Sequence, residues 1–158
     1  MGELTPHFRY DYFQTFSELT LENFFSFFSE WSHQHGVQTR LQAHGTWADI
    51  LKAYASADIP EGETFGPTDH YFVNTVHRRL AVSAAMVYGK PLVSNESFTW
   101  LRSPRFLETP EMLKQAVDSI FCDGINRIVN HGYAYSPRRK KQDPWTFYAS
   151  SLLSHVNP

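Results

Sequence analysis

The sequence predicts an α/β fold of alternating helices and parallel strands. Three observations predict it. Helical and strand-like apolar patterns alternate along the chain, glycine or proline separates most of them, and the helical stretches run to about ten to fifteen residues, the length that joins neighbouring parallel strands by right-handed crossovers. With 158 residues and 42% hydrophobic content, the chain is large enough for one domain with a buried core.

In the N-terminal half, the pattern predicts two helices and the strand between them. The first helix is indicated by an aromatic stripe at helical spacing, which we expect to lie in the core: Phe24, Phe27, Phe28 and Trp31. Thr20 would be its N-cap and Gly36 would end it. Residues 37–44 alternate and predict a strand, residues 47–57 predict a helix, and residues 59–61 predict a short strand edge or a loop.

The C-terminal half repeats the alternation twice. The predicted elements are a helix over 74–88, a strand over 90–94, a helix from Thr109 to Gly124 and a strand over 125–130. Thr109 and Pro110 form a helix start, because a capping hydroxyl precedes a proline that needs no hydrogen bond. The strand over 90–94 would end just before Asn95 and Glu96.

Polar and aromatic side chains collect where the predicted strands end. They are Gln42 and His44, Asp58 and Glu61, Asn95, Glu96 and Trp100, and Asn130, His131 and Tyr133. No glycine-rich phosphate motif follows any strand, which disfavours an open nucleotide-binding sheet. Several strand ends contributing to one rim is typical of a (β/α)8 barrel, and a complete barrel takes about 250 residues. We therefore predict a partial (β/α)8 TIM barrel, a single domain over residues 1–158 with upstream and downstream parts missing.

Charge and composition disfavour two classes of partner. The formal net charge is -2, so the chain has no basic excess for binding nucleic acid or anionic lipid. It also contains no apolar run long enough to cross a bilayer. We expect no nucleic-acid and no membrane partner. Cys122 is the only cysteine, so neither an intrachain disulfide nor a cysteine zinc site can form.

Two glutamates suit carbohydrate chemistry. Glu61 and Glu96 lie one strand and one helix apart, so on a barrel their carboxylates could approach within roughly 5–10 Å, the spacing that glycosidases use. Around them we expect substrate-binding side chains: His44, Asn95, Trp100, His131 and Tyr133. The amide and imidazoles would bond sugar hydroxyls, and the aromatic rings would stack on sugar faces.

Each of these residues also has an ordinary structural interpretation. A glutamate is by default a solvated surface residue. Glu61 fits an exposed loop acid or a metal ligand as well as a catalytic role. His44 and His131 fit histidines that bond their own loops.

Five stretches together resemble a known family: RLQAHG, ASADIPEGETFG, RLAVSAAMVYGKPLVSNESFTW, LKQAVDSIFCDGINRIVNHGYAYSP and WTFYAS. In this order they resemble the alpha-L-rhamnosidases of glycoside hydrolase family 106, over nearly the whole chain. The resemblance implies a catalytic (β/α)8 barrel inside a longer, often secreted bacterial enzyme, periplasmic or extracellular. Its partners would be a rhamnose-containing glycan or glycoside and the remainder of the same polypeptide.

The resemblance also implies roles for particular residues. Members of the family look like inverting hydrolases that use glutamates and calcium. Glu96 matches a catalytic carboxylate, the base that activates water. Glu61 matches a second active-site acid, either a calcium ligand or a carboxylate that steers the substrate, and His131 matches a strand end facing the substrate. The general acid would come from a strand before this chain begins.

Two other functions remain open from the sequence. The chain could be a non-catalytic carbohydrate-binding remnant of a barrel that has lost hydrolysis. It could also belong to another barrel glycosidase, such as a beta-galactosidase-like enzyme, which shares an Asn-Glu pair at a strand end. That enzyme would have a second glutamate late in the barrel.

Overall fold

The computed structural model describes residues 5–66, 71–100 and 109–133, and within them helices alternate with strands. The helices are α1 (Pro6–Thr20), α2 (Phe27–Gln34), α3 (Ile50–Ser56), α4 (Tyr71–Tyr88) and α5 (Pro110–Cys122), and the strands are β1 (Arg40–Leu41), β2 (Ile59–Phe65), β3 (Ser94–Thr99) and β4 (Arg127–Asn130). A π-helical segment, Leu21–Ser26, joins α1 to α2. None of the helices described is long and apolar enough to span a membrane.

The four strands form one sheet in the order β1-β2-β3-β4. β1 pairs with β2 in parallel, and β3 pairs with β4 in parallel. One helix stands between each strand and the next along the chain. The predicted alternation of helices and parallel strands is therefore confirmed.

The chain divides into two compact units. The described residues of Met1–Glu61 and Leu80–Val93 form one unit, and those of Gly62–Arg79 and Ser94–Pro158 form the other. We call them unit 1 and unit 2. Glu61 belongs to unit 1, whereas Glu96 and His131 belong to unit 2.

The first helix begins earlier than the sequence predicts. Thr5 is its N-cap and accepts a hydrogen bond from the Phe8 backbone N–H, with Pro6 in the first turn. Thr20 is not a cap, because its hydroxyl donates to the Phe16 carbonyl inside the helix. The predicted stop is confirmed, since α2 ends at Gln34 just before Gly36.

The aromatic stripe does not lie in the core of unit 1, so that prediction is wrong. The exposed fractions are 60% for Phe24, 63% for Phe27, 52% for Phe28 and 47% for Trp31. The face that is buried instead carries Phe25, Ser29 and Ser32. Ser29 lies 3.3 Å from the Thr39 hydroxyl, so a hydroxyl contact and a single aromatic ring replace the expected apolar stripe.

The strands differ from their predicted limits. β1 covers only Arg40–Leu41 of the predicted residues 37–44, and β4 begins at Arg127 rather than at residue 125. β2 extends through Phe65, although Pro60 and Gly62 disfavour a strand by composition. β3 begins at Ser94, where we expected the strand to end. β3 buries four polar side chains, so an apolar pattern does not reveal the strand: Ser94, Asn95, Ser97 and Thr99.

The predicted ends of α4 and α5 are confirmed. Gly89 adopts a positive φ of 67° after α4, and the Lys90 N–H then bonds the Ala85 carbonyl. Thr109 caps α5 by accepting from the Met112 N–H, directly before Pro110. Capping residues thus predicted the limits of these helices better than apolar spacing did.

Candidate active site

Glu96 is the third residue of β3 and is three-quarters buried, with 25% of its side chain exposed. The sequence predicted that Glu96 lies just beyond the end of a strand, and the structure instead places it inside β3. Parallel pairing places Glu96 opposite Val129 of β4. This pairing fixes its backbone, so the carboxylate sits on a sheet rather than on a loop.

His131 and Thr99 meet the Glu96 carboxylate within unit 2. The Nδ1 atom of His131 lies 2.8 Å from Oε1 of Glu96. The Thr99 hydroxyl donates to the same oxygen at 3.3 Å, and it lies 3.1 Å from His131 Nδ1. We call these three side chains the Glu96 cluster.

The backbone explains why the cluster forms. The His131 N–H donates to the Ser97 carbonyl at 2.9 Å, which extends the pairing of β3 with β4 by one residue. Phe98 has a positive φ of 68°, unusual for an aromatic residue. Such a φ interrupts the alternation of a strand, so Thr99 can share a face with Glu96 three residues earlier.

Asn95 lies apart from the Glu96 carboxylate because neighbouring strand residues point to opposite faces. It is 0% exposed. Its amide nitrogen donates to the Thr64 hydroxyl at 3.0 Å and the Ser97 hydroxyl at 2.8 Å. These contacts suit a structural amide, so the predicted bond from Asn95 to a sugar hydroxyl stays a prediction that the geometry does not favour.

Trp100 and Tyr133, the two predicted stacking residues, differ in exposure. Trp100 is 2% exposed, with the Phe98 ring edge-on at a centroid distance of 5.7 Å. Tyr133 is 63% exposed, two residues after His131. Of the two rings, only Tyr133 presents a face that a sugar could reach without rearrangement.

In unit 1, Glu61 is 4% exposed and is held by side-chain donors. Gln42 donates its amide to Oε1 at 3.1 Å, and the Arg40 guanidinium lies 3.2 Å from Oε2. All three come from the paired strands β1 and β2 or from the residue after β1. These two donors hold the enclosed carboxylate in one orientation.

His44, also in unit 1, is half-buried, and its Nδ1 lies 3.2 Å from the Tyr54 hydroxyl. Tyr54 is a fully buried residue of α3. This contact matches the structural interpretation of His44 at least as well as a substrate contact. Its proposed role in sugar binding stays a prediction.

The donor set at Glu61 does not fit calcium as arranged. Calcium takes about six to eight oxygen ligands, whereas Gln42 and Arg40 present N–H groups to the Glu61 carboxylate, one of them cationic. Among the residues that the structure describes, no group of three histidine, cysteine, aspartate or glutamate side chains could hold a metal ion.

An apolar pocket of about 160 Å³ lies elsewhere in unit 1. It is lined mainly by Phe24, Phe25, Phe28 and the residues around β1. A polyhydroxylated sugar needs several placed hydrogen-bonding groups, so this pocket is not a good substrate site.

Three side chains that contact Glu61 or Glu96 were not predicted from the sequence. Gln42 stood among the polar strand-end residues but was given no role, and Arg40 was not considered. Thr99 could not be found, because its position depends on the φ of Phe98. Of the predicted residues, the structure brings Glu96 together with His131.

Two comparisons with known proteins point to rhamnosidases, and a third matches a protein named as a different glycosidase. The profile of glycoside hydrolase family 106, described as alpha-L-rhamnosidase, matches residues 2–151. The structure of a rhamnosidase from Novosphingobium sp. PP1Y is similar, with a TM-score of 0.70 and 27% identity, over 78% of this chain and 12% of that one. A Formosa agariphila protein provisionally named a beta-glucuronidase is 26% identical over 136 residues, which are 86% of this chain and 11% of that protein.

The chain spans about a tenth of the length of these relatives. The family match nevertheless covers nearly all of it, and the parallel α/β fold agrees with that of the rhamnosidase. This chain belongs to glycoside hydrolase family 106, the alpha-L-rhamnosidases.

Proposed function

We propose that this chain forms part of the catalytic barrel of a glycosidase that hydrolyses terminal alpha-L-rhamnosides with inversion, and that Glu96 is its general base. The family match supports the class of reaction. The observation that carries the role of Glu96 is its environment: a partly exposed carboxylate, mounted on a strand, with two side chains in contact with one of its oxygens. Water can reach such a carboxylate, whereas the Glu61 carboxylate is enclosed.

The proposed step is a single displacement. Glu96 takes a proton from water while the water oxygen forms a bond to the anomeric carbon of the sugar. The bond from that carbon to the leaving oxygen breaks, its electron pair stays on the leaving oxygen, and a protonated acid supplies the proton. We assign that acid to no described residue, in line with the family resemblance, which expects it elsewhere in the polypeptide.

Glu61 has a supporting role in this proposal. Its carboxylate accepts from Gln42 and pairs with Arg40, so its negative charge is held in place. A fixed charge can orient a substrate without exchanging a proton. Calcium at Glu61 remains an inference from the family resemblance alone, since the donor set does not favour it.

A second substrate class follows from the Formosa agariphila relative. Its provisional name is that of a beta-glucuronidase. A beta-glucuronide is therefore the competing substrate, and it differs from a rhamnoside in carrying a carboxylate.

The test is hydrolysis of an aryl alpha-L-rhamnoside and an aryl beta-D-glucuronide by the purified full-length polypeptide that contains this chain, together with its Glu96→Gln variant. The amide cannot accept the proton of water, so we expect kcat on the rhamnoside to fall by about 10²–10⁴-fold, the contribution typical of a general base. Glu111→Gln is the matched control, because Glu111 is an exposed glutamate of α5 in the same unit.

Three outcomes would separate the alternatives. Full activity of Glu96→Gln would show that Glu96 is not the general base. Hydrolysis of the glucuronide but not of the rhamnoside would show that the substrate is a beta-glucuronide. Binding of rhamnose without hydrolysis of either substrate would favour the carbohydrate-binding alternative. A calcium chelator in the same assay tests the metal, and the family resemblance predicts that it abolishes activity.

A further inference from the structure

We propose that His131 is a positioning residue for Glu96 rather than a ligand of the sugar. The sequence assigned His131 to substrate binding, and the geometry points to a different role. This inference rests on the proposed function, in which Glu96 is the base. It concerns how that base is held.

His131 contacts Glu96 through its Nδ1 atom. Its Nδ1 lies 2.8 Å from Oε1 of Glu96, the distance of a charge-assisted hydrogen bond. A histidine that contacts a carboxylate through one ring nitrogen has its ring orientation fixed by that bond. The imidazole therefore orients the carboxylate, and the carboxylate orients the imidazole.

The backbones that carry Glu96 and His131 are both hydrogen-bonded in the sheet. Glu96 is paired within the sheet opposite Val129. The His131 backbone N–H continues that pairing through the Ser97 carbonyl. Both side chains thus start from hydrogen-bonded backbone, so their contact is set by the sheet and needs no bound sugar.

The Thr99 hydroxyl also contacts the Glu96 carboxylate. Thr99 donates to the same carboxylate oxygen and also lies within hydrogen-bond distance of His131 Nδ1. Two side chains converging on one oxygen restrict rotation of the carboxylate about its last torsion. A base must be held within about 0.5 Å and 10–20° of the productive geometry, and a misplacement of about 1 Å can cost 10²-fold in rate.

The test compares His131→Asn with His131→Gln. An asparagine amide nitrogen reaches about the position of Nδ1, whereas a glutamine amide nitrogen reaches about that of Nε2. A positioning role through Nδ1 predicts that the asparagine variant keeps kcat within about tenfold of the parent and that the glutamine variant loses about 10²-fold, with KM little changed in either.

Substrate binding by His131 predicts the opposite pattern. KM would then rise in both variants, and glutamine would restore activity at least as well as asparagine. That result, or unchanged kcat in both variants, would overturn the inference. Both substitutions introduce an amide, so a general loss of folding would not produce a difference between them, and thermal unfolding of each variant checks this.

Two controls separate this inference from the proposed function. Glu96→Gln must lose activity, and if it does not, the assignment of the base fails first. If Glu96→Gln is inactive while glutamine outperforms asparagine at position 131, only the positioning role fails. His33→Asn changes a comparable histidine–carboxylate pair, since His33 lies 2.9 Å from Asp58 in unit 1, and should leave kcat unchanged.

Discussion

Side chains hold the three carboxylates that lie near predicted strand ends: Asp58, Glu61 and Glu96. Asp58 accepts from the backbone N–H and hydroxyl of Thr39. Glu61 is enclosed and paired with a guanidinium, and Glu96 is partly exposed and bonded to a histidine. Glu61 is too enclosed for water to reach, whereas the exposed fractions of Asp58 and Glu96 are similar, 23% and 25%. The family resemblance separates these two carboxylates, and we therefore assign the base to Glu96.

Asp58 gives a prediction about pH. Burial raises the pKa of Asp58, but hydrogen bonds from Thr39 and His33 outweigh this and hold the pKa below its ordinary 3.8. A depressed pKa in the folded state stabilises the protein above the unfolded pKa, and this stabilisation is lost as the pH falls through the folded pKa. We expect Asp58→Asn to lower the free energy of unfolding at pH 7 by about 1–3 kcal/mol.

Denaturant unfolding between pH 2 and pH 7 checks this prediction. The Asp58→Asn variant should differ from the parent most at neutral pH and least below the folded pKa of Asp58. Asp118→Asn is the control, because Asp118 is an exposed partner of Lys114 on α5 and should change stability by less than about 1 kcal/mol. A difference that stays constant over the whole range would show that Asp58 acts through packing rather than charge.

Some of the site could be predicted at the residue scale. Glu96 and His131 follow from the resemblance and from polar residues after apolar runs. Thr99 depends on a positive φ at Phe98, a tertiary feature that an aromatic side chain does not indicate. The burial of Trp100 could not be read from its position either, because composition does not decide which ring faces solvent.

At the scale of elements, a buried ion pair within unit 2 joins the first part of α4 to the end of α5. Arg78 is 4% exposed and donates through Nε to Asp123 at 2.8 Å. Asp123 follows the end of α5, where the helix dipole disfavours a negative charge. Two arginines, Arg78 and Arg79, offset this cost. The α4 backbone also approaches β2 closely, because a Cβ on Gly62 would lie 2.9 Å from Arg78 Cα.

This pair gives a matched stability prediction. Arg78→Met should lower the free energy of unfolding by about 3–5 kcal/mol, because it leaves the Asp123 carboxylate without its buried partner. Arg79 contacts the same carboxylate but is 64% exposed, so Arg79→Met should cost about 1 kcal/mol or less. Thermal or denaturant unfolding of both variants measures the difference. Equal losses would contradict a special role for the buried arginine.

Elements with strong local signals were predicted best. The Thr-Pro start of α5 and the glycines after α2 and α4 were found because caps are encoded by a few adjacent residues. The start of α1 was missed although Thr5 and Pro6 carry the same signal. The aromatic spacing after Thr20 predicted a later start. Strand limits were less predictable, because β3 buries polar side chains.

For the whole molecule, the alternating pattern of the sequence was enough to predict the α/β class and its parallel strands. It was not enough to predict which faces are covered. Several large aromatic side chains of unit 1 are exposed, among them Phe24, Phe27 and Trp47. An apolar pattern shows only that burial of a face is favourable, and it does not identify the element that buries that face.

The central claim is that Glu96 activates the attacking nucleophile, and azide rescue of Glu96→Ala tests it most directly. Azide needs no base, so it can take the place of water in the space that the shortened side chain leaves. We predict that Glu96→Ala is nearly inactive on an aryl alpha-L-rhamnoside, and that azide restores release of the aryl group with formation of a rhamnosyl azide of inverted configuration. Unchanged hydrolysis by Glu96→Ala, or a rhamnosyl azide of retained configuration, would contradict the claim.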